Sequence, residues 1–254
     1  MAAGGGSAID PIHQFEITNY GSFDLFGKHF AFTNSALYML IGVAIIALVM
    51  IWGTRGASIV PNRLQTLAEL AYQFVAGMVR SSAGEAGMKF FPLVFSLFMF
   101  ILTLNVVGLI PYTFTVTSHI IITVCLAMIV FLTVIIVGFA KNGMHFLHLF
   151  VPSGVPGAIL PVVVLIEVIS FFSRPLSHSV RLFANMLAGH ITLKVFAGFV
   201  VMLLGAGSWA VISPLPFLFM VGLMALELLV AFLQAYVFAM LTCMYINDAL
   251  HPGH

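Results

Sequence analysis

Charge is what this chain has least of. Only 7% of its residues are Asp, Glu, Lys or Arg, against about 25% in an ordinary water-soluble domain. So few charges cannot cover a water-facing surface, which excludes a soluble globular fold. The net charge is +1, and no basic cluster is present to bind a nucleic acid. Cysteine is scarce as well. Cys125 and Cys243 lie in apolar tracts, lack the spacing of a disulfide framework or metal site, and read as core packing. No nucleotide-binding motif is present, because the glycine-rich run Ala3 to Ser7 lacks the lysine and strand context of a phosphate loop. A cleavable leader is not expected either: residues 1–34 are mildly acidic (Asp10, Glu16, Asp24), without a basic start and apolar core.

What abounds is apolar sequence, 62% of the chain. It falls into long runs at 35–54, 90–110, 119–140, 158–206 and 214–247. Pro111, Lys141-Asn142-Gly143, Pro152 to Pro156 and Ser213-Pro214 punctuate them. The expected fold is an all-α, polytopic membrane protein of about five crossings in a single membrane domain, residues 1–254. Residues 60–80 differ in kind. Leu64, Leu67, Ala71, Phe74, Val75 and Met78 recur at helical spacing, with Arg63, Gln65, Glu69 and Gln73 off that stripe. This is an amphipathic helix, suited to the membrane surface or, alternatively, to a connector on the water side.

Arg55, Arg63, Arg80, Lys89 and Lys141 lie in the loops of one side, and Lys28 stands alone in the acidic tail of the other. Basic loops stay inside, so five crossings put the N-terminus outside and the C-terminus inside. A helix over 158–206 would be ~73 Å long at 1.5 Å per residue, far more than a ~30 Å hydrocarbon layer. Either it is steeply tilted or it breaks near Arg174-Pro175 and reverses the last segment. Tilt is the expectation, because the polar groups align best on unbroken helices.

Those polar groups carry the function. Arg181 keeps its charge at any pH a protein meets, and at mid-membrane it costs roughly 2.5–3.5 kcal/mol on insertion scales. Such a cation belongs beside water or an ionic partner. On a helix at 100° per residue, Glu167, Arg174, His178, Arg181, Asn185 and Thr192 fall on one stripe, while His190 and Lys194 project from the opposite face. Folding 214–247 back as an antiparallel hairpin sets Arg181 opposite Gln234 and His190 opposite Glu227, with a mismatch of only ~3 Å of rise. Gln234 then reads either as an interhelical hydrogen-bond clasp or as part of the Arg181 surroundings, with Asn185 beside it. Glu227 and His190 read as a structural pair or as a proton relay. Histidine titrates near ~6.5, and a carboxyl taken out of water approaches that range from ~4.3.

The run Arg181-Leu-Phe-Ala-Asn185-Met-Leu-Ala-Gly-His190, with Glu167 before it and Glu227 and Gln234 after, closely resembles subunit a of the F-type ATP synthase. The resemblance extends over nearly the whole chain, including Leu104-Asn-Val-Val-Gly-Leu-Ile-Pro111. It implies that Arg181 is the stator charge, that Asn185 and Gln234 accompany it, and that His190 and Glu227 line an outer proton entry. Glu167 and neighbouring polar residues would line an inner exit, with Arg174, His178 and Lys194 as secondary candidates. It also implies partners: a rotor ring of small c subunits, peripheral-stalk b subunits, other synthase subunits and lipid. ATP chemistry would then lie on partner chains, this chain being no enzyme by itself and holding no cofactor or metal. Its place would be the bacterial inner membrane, or else the mitochondrial one. Two departures stand out: Ala184 where many members have glycine, and the order histidine at 190, glutamate at 227, which favours protons over sodium.

Two other classes compete. A free-standing secondary transporter would use Arg181 to hold an anionic substrate, but the two halves of the chain show no internal repeat. A membrane haem protein is suggested by 9 histidines, yet among His119, His178 and His190 no pair is obviously placed for axial ligation.

Overall fold

The computed structural model describes residues 16–25, 28–55, 60–110, 113–151 and 159–251. Its helices are α1 (Asn34–Thr54), α2 (Arg63–Gly87), α3 (Phe91–Gly108), α4 (Ile120–Asn142), α5 (Leu160–Gly205) and α6 (Pro214–Leu250). Five helical stretches are long and apolar enough to cross a membrane: Asn34–Thr54, Arg63–Gly108, Ile120–Phe150, Leu160–Gly205 and Ala210–Leu250. The protein is an all-α, polytopic membrane protein.

Local chemistry sets the helix ends. The Thr33 hydroxyl accepts from the Ala36 amide at 3.4 Å and caps α1. Pro214 opens α6, where its missing N–H costs nothing. Gly143 (φ 53) follows α4 and Gly207 (φ 66) follows α5, positive values that a residue without Cβ adopts readily. A 3₁₀ turn, Gly207–Ile212, then joins α5 to α6.

α5 runs unbroken for 46 residues through Pro175. The break weighed at Arg174-Pro175 does not occur. At 1.5 Å per residue α5 is ~69 Å long and α6 ~55 Å. Both exceed a ~30 Å layer.

α6 is the hub, packing on α2, α3, α4 and α5. Ala231, Ala235 and Ala239 follow each other at four-residue intervals on it, all fully buried. Small side chains at that spacing let neighbouring backbones approach closely without a hydrophobic driving force in lipid. Around them pack Val75 and Val79 of α2, Ile101 of α3, Val130 of α4, Leu182 and Met186 of α5, and Phe238 and Ile246 of α6.

Three sequence expectations need correction. The amphipathic helix extends beyond residue 80, kinks at Gly84 (φ 64) and ends at Gly87, and its apolar stripe divides: Val75 and Met78 are buried, whereas Leu64, Leu67 and Phe74 are exposed. Gln65, expected off the stripe, is buried and donates to Glu69 Oε1 at 2.7 Å. Periodicity identifies an apolar face but not whether protein or lipid covers it. Cys125, expected in the core, is exposed on α4; only Cys243 is buried. Finally, the tail expected at 1–34 contains an antiparallel hairpin, β1 (Asn19–Leu25) and β2 (Lys28–Thr33), which the sequence reading missed. Asp10 lies outside the described residues.

Candidate functional site

The α5–α6 hairpin presents its polar groups at three levels. At one end the Arg174 guanidinium donates to Asp248 Oδ2 at 2.9 Å and lies 4.9 Å from the Tyr245 ring centre. The Asn142 side chain of α4 donates to the Ala249 carbonyl at 2.7 Å at the same end. One turn along α5 from Arg174, His178 is buried, with Nε2 3.2 Å from the Phe238 carbonyl and its ring edge-on to Phe238. At the other end His190 Nε2 stands 3.7 Å from Glu227 Oε1. The His190–Glu227 contact follows the antiparallel register expected from the sequence.

The His190–Glu227 pair lies deep within the protein, each residue only 6% exposed. Neither carboxylate oxygen of Glu227 accepts a hydrogen bond from a described protein group. A buried polar atom in that condition is uncommon and calls for a reason. Its own element delivers it there: α6 carries the Ala231, Ala235 and Ala239 face one turn and more below, which draws the helix against α3. The Asn105 amide then donates to the Ala231 carbonyl at 3.2 Å, one turn from Glu227.

Glycine at 189 makes room for the acid. A Cβ there would meet Glu227 Oε1 at 2.6 Å, Cδ at 3.0 Å and Cγ at 3.3 Å. The carboxyl therefore lies against bare α5 backbone. Gly189→Ala is expected to push it aside.

Arg181 is on the other side of α5. It is exposed on this chain, as are Asn185 and Thr192, and it makes no hydrogen bond or ion pair within the described residues. On its face of α5, Ser177, Ala184 and Ala188, one or two turns away, are exposed as well. Gln234 is buried on α6, and the expected meeting of Gln234 with Arg181 is not made through a hydrogen bond. Glu167 is half-buried two turns before Arg174, and Lys194 is half-buried one turn beyond His190. His178 sits at the edge of the expected polar stripe and turns inward, toward α6, instead of joining Arg181.

The sequence reading missed Asp248 and Thr115. Asp248 is one of only three acids after residue 160, and a count of acids against Arg174 would have found it. Thr115 gave no signal of its own.

A long helix with a buried acid–imidazole pair on one face and, on the other, a cation unpaired among the described residues defines a class, the ion-translocating membrane subunits. The comparisons are specific. The family model "ATP synthase A chain" matches residues 36–247, and the chain belongs to that family, whose place in the F-type ATP synthase is the proton-translocating stator subunit. It is 64% identical over 250 residues to "ATP synthase subunit a" of Rhodopseudomonas palustris (strain BisA53), covering 97% of this chain and 100% of the relative. The protein of that name from Bradyrhizobium diazoefficiens is 63% identical over 250 residues, covering 97% and 99%. That from Methylobacterium sp. (strain 4-46) is 61% identical over 247 residues, covering 97% and 98%. A free-standing transporter finds no support among them.

Proposed function

We propose that this chain forms two offset aqueous half-channels, one on each side of Arg181, through which protons reach and leave a rotor ring of small subunits. The observation that carries the reading is the two-faced α5. His190 with Glu227 is buried on one face, and Arg181 is exposed on the other. Protons enter from outside by way of His190 and Glu227, neutralise a ring carboxylate, and travel round with it. They leave to the inside past Glu167, with Arg174 and His178 near that exit. Asn185 and Gln234 accompany Arg181, and Lys194 flanks the entry.

The exposed face of α5 around Arg181, with the small residues Ser177, Ala184 and Ala188, is the surface that the ring would cover. Lipid alone would leave a bare guanidinium in hydrocarbon, which is expensive, whereas ring carboxylates give it a succession of partners. The chain itself performs no ATP chemistry; catalytic chains of the complex do so, and peripheral-stalk b subunits hold this one still. With the basic loops inside, it sits in the bacterial inner membrane with its N-terminus outside and its C-terminus inside.

The test is physical proximity. A cysteine at residue 185, in a chain whose two native cysteines are replaced, should form disulfide cross-links to a cysteine beside the ring carboxylate. Cross-links from the lipid side of α4 but none from residue 185 would overturn the reading.

A further inference from the structure

Thr115 lies in the loop between α3 and α4, fully buried, and its hydroxyl is 3.1 Å from His190 Nε2. That loop is fastened to the end of α3. The last carbonyls of a helix have no intrahelical donor. Here Thr113 Oγ1 donates to the Val107 carbonyl at 2.7 Å, and Thr115 Oγ1 lies 3.4 Å from the Gly108 carbonyl. Ser118 closes the turn by donating from Oγ to the Thr115 carbonyl at 2.6 Å. Gly108 is needed for this contact, since a Cβ there would meet Thr115 Cγ2 at 2.9 Å. Phe114 and His119 stack at 4.9 Å on either side of the turn. The hydroxyl therefore has a fixed position but a free rotor.

We propose that Thr115 is the positioning residue of proton entry, holding the His190 ring toward Glu227 in both of its proton states by rotating its hydroxyl. The proposal rests on the reading of His190 and Glu227 as the pair that passes the proton. When the imidazole carries protons on both nitrogens, the Thr115 proton points to the Gly108 carbonyl and Oγ1 accepts from Nε2–H. A tilt of the ring then turns Nε2–H from Oγ1 toward Glu227 Oε1, 3.7 Å away; the Nε2–H bond breaks and an O–H bond forms at Oε1, which cancels the positive and negative charges and leaves a neutral ring protonated at Nδ1. Nε2 is now an acceptor, and the Thr115 hydroxyl turns to donate to it. A hydroxyl both donates and accepts, so the ring keeps a partner before and after transfer. The groups facing His190 are Glu227 from α6, Thr115 from the loop and Lys194 one turn along α5.

The test compares Thr115→Val, which removes the hydroxyl at nearly the same shape, with Thr115→Ser, which keeps it. Assembled complexes are put in vesicles, and proton-driven ATP synthesis is followed while the outer pH is varied at fixed inner pH. Thr115→Val should run about threefold to tenfold slower, the rate equivalent of one ordinary hydrogen bond, with a displaced outer-pH profile. Thr115→Ser should stay within about twofold of the parent with an unmoved profile. Parental behaviour of Thr115→Val overturns the proposal. So does equal slowing of both variants with an unmoved profile, which would make Thr115 a packing residue. Should Thr115→Val fail to assemble, Thr115→Ala is read in its place by the same criteria. Glu227→Gln in the same assay separates the two readings: if it runs at the parental rate the relay itself fails, and if it is slow while Thr115→Val is not, only the role of Thr115 fails.

Discussion

Arg181→Ala is expected to abolish coupled ATP synthesis and to let protons cross the vesicle membrane passively. In the proposed arrangement the guanidinium meets each ring carboxylate as it leaves the entry path. At ~4 Å and an effective dielectric of ~20, the attraction is about 4 kcal/mol, enough to keep the carboxylate ionised and not enough to hold it there. Without that charge a protonated carboxylate can pass the divide unchanged, and a proton crosses without a full turn of the ring. Each such leak wastes roughly 2.3 kcal/mol per 100 mV. Arg181→Lys should also impair coupling, because an ammonium loses its proton on burial far more readily than a guanidinium and lacks its planar fork. The lack of a hydrogen bond or ion pair to Arg181 among the described residues argues against a plain structural role for it. ATP synthesis by vesicles under an imposed proton gradient, with passive acidification measured in parallel, decides the matter. Normal coupled synthesis by Arg181→Ala would contradict the assignment.

The second large effect is expected from Glu227→Gln. The amide keeps the shape of the acid and its fit against Gly189, yet it cannot take up a proton from His190. Proton-driven turnover should fall about a hundredfold, within the usual range for losing a positioned acid or base, with the amount of assembled complex unchanged. Turnover and assembly are measured on the same vesicles. A small loss of turnover accompanied by a matching loss of assembled complex would mean that Glu227 only supports the hairpin.

Much of this molecule is legible in its sequence because lipid imposes a simple rule. Every backbone polar group must be satisfied within the segment, so apolar runs of sufficient length become helices. Punctuation at Asn142-Gly143 and Ser213-Pro214 then marks helix ends at α4 and α6. The pairing of His190 with Glu227 was readable for a related reason: two unbroken helices in a hairpin have a single register, and few polar groups compete to fill it. Gln234 and Arg181 illustrate the limit of that argument. Equal depth does not fix rotation about the helix axis, and in the structure one is buried while the other faces out. Thr115 lay beyond reach because its role depends on a loop folded back over the end of α3, a contact between residues 75 apart in sequence that no helical period encodes. Asp248 lies just past the apolar run that ends at 247, on the three further residues of α6, and the apolar pattern alone did not include it.

The central claim is that two watery paths approach Arg181 from opposite sides and never join. Side-specific labelling tests it most directly. After replacement of Cys125 and Cys243, single cysteines at residues 194 and 167 are exposed to a membrane-impermeant thiol reagent, first in right-side-out and then in inverted vesicles of the assembled complex. The account predicts labelling of residue 194 from outside only and of residue 167 from inside only. Labelling of either position from both faces of the membrane would mean one continuous pore and would contradict it.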